Sequence, residues 1–323
     1  MAGCEEVYRS GLYHEIRELV ARNVQTTFEI CRHEEEIDII SLAGDHGTSS
    51  RLTETVGLIK QDLTRTFPHN EFYRDEVNLG KLGNVIASYA GINREVGYCQ
   101  GMNFLAGMLL QLSEDEEDTF WLLTLVMVRY NLQSLFTENI PLLHLLKFQY
   151  QLLFRDHLPR LEQHFNQLHV TSELYAVKWF FSLFAYSLPE TTVFELWDFV
   201  FAACPPNQLH NGFMRAILIV ALAIVTVLEK DLLNTDSIPE VLEVFEVKLR
   251  RTKARTILRV ARQIDKTLLQ ANVENSRAIW AALPGNGKLN EAIAKGELVA
   301  LLMPAAILQF DKSKPSPPRS GVQ

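Results

Sequence analysis

Apolar residues recur along this chain at three- and four-residue intervals, the spacing of helices that bury one face. Between Leu174 and Leu188 they fall at Leu174, Val177, Phe181, Phe184 and Leu188, which predicts one amphipathic helix. Pro141 suits the first turn of another helix, running to about His157 before Pro159 stops it. From Ser113 the chain reads SEDEEDTFWLLTLVMVRY, in which Ser113 and Glu116 match a capping box. The five consecutive acidic residues suit the positive end of a helix dipole better than a cation loop, whose oxygen ligands alternate. Ser187 with Glu190, and Ser237 with Glu240, repeat the capping pattern ahead of further apolar stretches. The longest apolar run, 216–228, has 13 residues and is closed by Glu229, Lys230 and Asp231. A membrane span needs about 20 residues, so a buried helix is the reading. No stretch shows convincing period-two alternation. The expected fold class is all-α, with roughly a dozen helices or more.

Breaks in this pattern are few. Segments 43–50 and 283–288 are polar and contain glycine, which predicts loops, and the Pro/Ser-rich residues 312–323 predict a disordered tail. No repeat of fixed period is present, which argues against a solenoid. Composition adds bounds. The 323 residues are 47% hydrophobic and 22% charged, as in soluble globular proteins, with a net charge of −8 that argues against a nucleic-acid partner. Four widely spaced cysteines without a C-x-x-C pair fit a reducing compartment. The first residues, MAGCEEVYRSG, have neither a secretory apolar segment nor a glycine at position 2 for myristoylation. A soluble, cytoplasmic protein without a transmembrane segment is the expectation. One stretch departs from the acidic average. Segment 248–266 carries eight basic residues and one acidic one, while Leu249, Thr252, Ile257, Leu258, Ala261 and Ile264 can still face a core. A solvated helix face outweighs a membrane or acidic-partner contact there.

Familiar catalytic motifs fail on inspection. Around Gly287 and Lys288, a phosphate loop would need a glycine at 282 and a Ser or Thr at 289; Ala282 and Leu289 stand there instead. The nine histidines show no metal-ligand spacing, so no metal site is expected. No G-x-S-x-G elbow occurs, and Cys99 reads as a small packed residue more readily than as a nucleophile.

Two segments are of another kind. In Ile59-Lys-Gln-Asp62-Leu-Thr-Arg65-Thr66-Phe67-Pro68, Arg65 falls at a helix exit with Asp62 one turn behind it, able to orient it. Pro68 ends any helix and biases Phe67 toward an extended conformation. In Gly97-Tyr98-Cys99-Gln100-Gly101-Met102-Asn103-Phe-Leu-Ala-Gly107, a glutamine is held between glycines that permit unusual backbone angles, at the start of a buried helix. Taken singly, the first is a dipole-complementing arginine and the second a polar helix start.

Together, with Gln100 35 positions after Arg65, I-x-x-D-x-x-R followed by Y-x-Q-G-M resembles the TBC domain, the GTPase-activating family for Rab GTPases. Trp179-Phe180 with Leu183-Phe184, then Leu188-Pro189-Glu190 and Leu196-Trp197-Asp198, look like the later landmarks of that family. The likeness spans roughly residues 50–250. It departs from the family in having no tryptophan before Trp121, and Glu195 where many members have an arginine before the Trp-Asp pair.

The resemblance implies an all-α TBC-type domain of two packed helical subdomains, 51–165 with both motifs and 166–311, after an N-terminal helical segment 1–50. It implies that Arg65 is an arginine finger and Gln100 a glutamine finger, entering the Rab active site in trans. Ile59, Asp62, Thr66, Phe67, Gly97, Tyr98, Gly101, Met102, Asn103, Trp197 and Asp198 would support them or contact the partner. Such a protein activates a GTPase rather than turning over its own substrate. It needs no cofactor, since GTP and Mg²⁺ are carried by the Rab in its GTP form. It would act in vesicle traffic and intracellular protein transport, peripheral on endomembranes through the Rab. A catalytically silent Rab-binding scaffold is the alternative.

Overall fold

The computed structural model describes residues 46–93, 96–202, 209–267, 270–288, 291 and 293. The expectations for 1–45 and for 312–323 lie outside the described residues. Among the described residues the regular structure is helical, with no strand. Helices α1 (His46–Leu63), α2 (Glu76–Ile92), α3 (Met102–Ser113) and α4 (Glu116–Arg129) form the first group, with α2 in contact with the other three. Then follow α5 (Pro141–His157), α6 (Pro159–Gln167), α7 (Val177–Ser182) and α8 (Glu190–Ala202). Helix α9 (Leu209–Leu232) precedes α10 (Ile238–Glu243), a π-helical turn Val244–Lys248 and the single turn α11 (Leu249–Arg251). Helices α12 (Ala254–Thr267) and α13 (Gln270–Ala282) end the order.

Helix α9 is the axis of the second half. It lies along α12 and packs on α5 and α8. Every residue from 216 to 225 is 1% exposed or less. Each buried Leu, Ile or Val contributes about 1.5–3 kcal/mol, so a helix apolar all round has to be surrounded. The segment Asn211–Leu232 has a mean hydropathy of 2.1, enough to cross a membrane by length and composition, yet it is the centre of the fold. Helix α12 covers it with Ile257, Leu258, Ala261 and Ile264 while Arg255, Arg259, Arg262 and Lys266 stay exposed. The basic stretch is therefore amphipathic, with the expected apolar stripe buried apart from half-exposed Thr252. The apolar interior is continuous from Ile59 to Ile293.

Several local expectations are corrected. Residues 46–50, read as loop, are the first turns of α1, because nothing after Gly47 breaks a helix. Helix α3 runs through Ser113 and ends on left-handed Glu114 (φ 56°), so the N-cap of α4 is Asp115, whose carboxylate accepts the Asp118 N–H at 2.9 Å. Ser113 instead bonds Thr119 at 2.7 Å. The Ser187–Glu190 box does not form: Glu190 accepts from Asn70 at 3.2 Å and the Ser187 hydroxyl has no partner among the described residues. In the third box Glu240 does reach back, accepting from the Asp236 N–H at 2.9 Å and the Ser237 hydroxyl at 3.0 Å. The 283–288 loop turns helical again at Gly287.

The single stripe from Leu174 to Leu188 is broken as well. Helix α7 stops at Ser182, and Leu183 and Phe184 take positive φ (45° and 71°) while the Phe184 N–H bonds the Trp179 carbonyl at 2.9 Å. Such left-handed residues cost about 1–3 kcal/mol each. Here they are fixed by what they bury. Leu183 and Phe184 are 2% and 1% exposed, and the Trp197 indole N–H donates to the freed Leu183 carbonyl at 3.0 Å.

Tyr73, Tyr89, Tyr150 and Tyr175 are buried, and burial is the main cause that pushes each phenol well above the ordinary tyrosine range. An unfolded tyrosine ionises near pH 10. The folded chain keeps protons that the unfolded chain releases, so this contribution to stability is complete below about pH 10 and is lost as pH rises beyond it. The urea midpoint should therefore fall from about pH 10 upward. A midpoint that stays level through that range, with tyrosine absorbance titrating normally in the folded protein, contradicts the buried phenols.

Candidate functional site

The two singled-out segments meet at one carboxylate. Helix α1 ends at Leu63, and the chain turns with the Arg65 N–H donating to the Asp62 carbonyl at 3.2 Å. Asp62 is only 3% exposed. Its Oδ1 pairs with the Arg65 guanidinium and its Oδ2 accepts the Tyr98 hydroxyl at 2.5 Å. A desolvated carboxylate needs such partners, and here they come from both segments at once. The Arg65 side chain remains 57% exposed and gives Asp62 one nitrogen of its fork. Burial, then the Asp62 bond and charge, raises the Tyr98 pKa, which keeps that hydroxyl a neutral donor. Burial also pushes the half-buried Cys99 thiol up, with the Asp62 charge adding to it, opposite to what a nucleophilic thiolate requires.

A second, buried connection runs beneath the first. The Thr66 hydroxyl donates to the Asp62 carbonyl at 2.6 Å and accepts from Asn103 Nδ2 at 2.7 Å. Asn103, 1% exposed, uses its Oδ1 to accept the Gly101 N–H at 3.0 Å. The turn after α1 and the turn before α3 are thereby tied through buried polar atoms. Gly101 has φ 112°, and a Cβ there would stand 3.0 Å from the Phe181 carbonyl oxygen, so only glycine fits. Gly97 is left-handed too (φ 59°). Between them Gln100 is exposed, and its amide has no hydrogen-bond partner among the described residues.

Phe67 departs from expectation: it is left-handed (φ 48°) rather than extended. Its ring stacks on Tyr73 at 5.8 Å and meets Phe104 edge-on at 5.4 Å. Gly107 makes the space, since a Cβ there would come within 2.9 Å of the ring. Burying a phenylalanine contributes about 1.5–3 kcal/mol and each ring pair about 0.5–1.5 more, which outweighs a backbone cost of about 1–3.

The remaining expected site residues divide by burial. Ile59, Met102 and Trp197 are core side chains at 2%, 0% and 5% exposure, while Asp198 and Glu195 are exposed on α8. One feature escaped the sequence pattern. Gln100 lies on an open groove of about 500 Å³ formed with Leu174, Val177, Lys178, Phe181 and Tyr186. Leu174 and Tyr186 are 41% and 46% exposed. Leu174 and Phe181 belong to the stripe expected of one helix, but Leu174 ends a 3-10 turn ahead of α7, and both line the groove beside Gln100.

Residues 29–233 match the family model described as the Rab-GTPase-TBC domain. Over 180 residues the chain is 34% identical to Rab GTPase-activating protein eat-17 of Caenorhabditis elegans, covering 54% of this chain and 20% of that one. Over 194 residues it is 34% identical to Growth hormone-regulated TBC protein 1 of Homo sapiens, covering 58% and 54%. The matches thus span about a fifth of the first relatives and about half of the second. Among solved structures, the Ypt/Rab-GAP domain of Gyp1p superposes with a TM-score of 0.60 at 17% identity, over 81% of each chain. The Chlamydomonas flagellar RabGAP TBC domain gives 0.53 at 22% identity, over 79% of this chain and 84% of that one. These two likenesses show the fold.

Asn103→Leu keeps the branching of the side chain but leaves the Gly101 N–H without its acceptor and removes the bond that the Thr66 hydroxyl accepts, while Thr66 still donates to the Asp62 carbonyl. The orphaned N–H costs about 1–3 kcal/mol and the lost bond to Thr66 about 0.5–1.5, so a loss of about 1.5–4.5 kcal/mol in unfolding free energy is expected. Urea unfolding measures it. A change below the uncertainty of such curves removes Asn103 from the set of residues that hold this site.

Proposed function

The chain belongs to the Rab-GTPase-TBC family, and from that premise we propose that it stimulates GTP hydrolysis by a Rab-family GTPase, adding Arg65 and Gln100 to the Rab active site. The observation that carries this reading is the shared Asp62 carboxylate. It holds an exposed arginine and, through Tyr98, the turn that presents an exposed glutamine. The chemistry requires those two side chains. A guanidinium stays charged and offers a planar fork of donors to phosphate oxygens as charge builds on them. A neutral amide can accept from the attacking water and donate to the γ-phosphate together. GTP and Mg²⁺ belong to the Rab. The groove beside Gln100, with its exposed Leu174 and Tyr186, supports docking of a protein partner there. Engagement of a Rab-GTP would place the protein at the cytoplasmic face of endomembranes. A silent scaffold would have no chemical use for a freely presented Arg65 and Gln100.

An arginine supplied in trans accelerates such reactions by about 10³–10⁵. Arg65→Ala should therefore lower the single-turnover rate of the cognate Rab by roughly 10³ or more, and Arg65→Lys should recover little of it because an ammonium lacks the fork. Arg65→Lys, which keeps a cation beside Asp62, should melt near the wild-type temperature, whereas Arg65→Ala takes a partner from a buried carboxylate and should melt lower, so the lysine variant carries the test. Near-normal rates for the lysine variant sink the role of Arg65.

The share of Gln100 is tested on the partner. If it positions water in trans, a Rab whose own active-site glutamine is mutated should still be strongly stimulated, and Gln100→Ala should abolish that stimulation without altering the circular dichroism spectrum. A glutamine-mutated Rab that no longer responds, while its wild-type form does, excludes the two-residue mechanism.

A further inference from the structure

Lys178 and Tyr186 also line a second cavity of about 470 Å³, whose opposite wall is the π-helical turn Val244–Lys248 and the turn after it. Its charged lining is Lys178, Arg250 and Arg251 against one carboxylate, Glu246. Three cations to one anion leave this small space with an excess of two positive charges. Neither Arg250 nor Arg251 has an ion-pair partner among the described residues, and both are exposed. Burial lowers the Lys178 pKa, Glu246 raises it, and Arg250 lowers it further, so the two cations are near enough to repel each other.

The same wall holds an unmatched hydroxyl. Ser187 is 6% exposed and its Oγ has no hydrogen-bond partner among the described residues. Ser182, on the preceding turn, is satisfied: its hydroxyl donates to the Lys178 carbonyl at 2.6 Å and accepts from the Tyr186 N–H at 3.2 Å. A buried hydroxyl without a partner is costly, and Ser187 belongs to the lining of this cavity. The π turn is a local departure from α geometry of the kind that recurs at binding sites. Directly after it in the chain, Arg255, Arg259, Arg262 and Lys266 follow at steps of four, three and four residues on the exposed side of α12.

We propose that this cavity binds a phosphate monoester, carried either by a lipid headgroup or by a soluble molecule. A phosphate monoester brings about −1.5 to −2 charges, which matches the excess, and acceptor oxygens suited to two guanidinium forks and a hydroxyl. The basic side of α12 would add attraction to an anionic bilayer, which favours the lipid as the source. The site uses neither Arg65 nor Gln100, and it shares only the wall of Lys178 and Tyr186 with the groove beside Gln100.

The test uses the full chain. Calorimetry with inositol 1,4,5-trisphosphate and with inorganic phosphate reads the soluble source. Co-sedimentation with phosphatidylcholine vesicles containing phosphatidylinositol 4-phosphate, or phosphatidylserine at equal charge, reads the lipid one. Arg250→Gln with Arg251→Gln should weaken binding by about tenfold or more, and Ser187→Ala by less. Arg255→Gln with Arg259→Gln should leave trisphosphate binding unchanged. These exposed arginines do not enter the core, and melting temperatures check that the variants fold. Binding of the trisphosphate, or of phosphoinositide vesicles beyond the phosphatidylserine control, supports the pocket when it depends on Arg250 and Arg251. Absence of both overturns it, as does equal loss in the α12 variant, which would mean diffuse charge alone. A pocket variant that loses affinity for a GTPase while no phosphate probe binds also overturns it, in favour of an acidic protein segment.

Discussion

A carboxylate removed from water has to be paired, and Asp62 is the group on which this arrangement turns. Its two oxygens face two stretches of chain, 36 residues apart at Tyr98, and both bonds must form or the charge is stranded. That requirement fixes the end of α1 against the start of α3. It explains why Thr66 and Asn103, which carry no chemistry of their own, are buried polar residues in an apolar neighbourhood. Removing one of them disturbs a pair of turns rather than a single contact.

Where sequence spacing alone sets the geometry, the structure follows it closely. Pro141 and Pro159 bound α5 within one residue of expectation, because a ring that fixes φ acts locally. The pairing of Asp62 with Arg65 was legible for the same reason, being one helical turn long. The relay through Tyr98, Thr66 and Asn103 was not, since its bonds join residues 36 or 37 apart and no periodicity encodes them. The misread places are those where packing overrules a local preference. Phe67 takes a backbone angle that its proline neighbour disfavours because Gly107 leaves room for its ring. Leu183 and Phe184 break a helix that their own spacing would continue, because both then reach the core.

The glycines mark where two segments come too close for any side chain. Gly101 sits against the Phe181 backbone and Gly107 against the Phe67 ring, so α3 is in close contact at its N-terminal cap and again mid-helix. Gln100 directly precedes the first of these two close approaches. An exposed side chain is thus mounted on a closely packed base, the combination that keeps the ordering cost of presenting it to a partner small.

Helix α9 has a consequence for the birth of the protein. Its apolar length is covered on one side by α5, made earlier, and on the other by α12, which ends 35 residues later in the chain. At synthesis rates of about 5–20 residues per second, that side stays uncovered for roughly 2–7 s after α9 is complete. During that interval the nascent chain displays a segment with the hydropathy of a membrane anchor, open to capture by targeting factors and to aggregation. The segment that closes this gap is itself polar along one side, since Arg255, Arg259, Arg262 and Lys266 of α12 face away from the surface it covers.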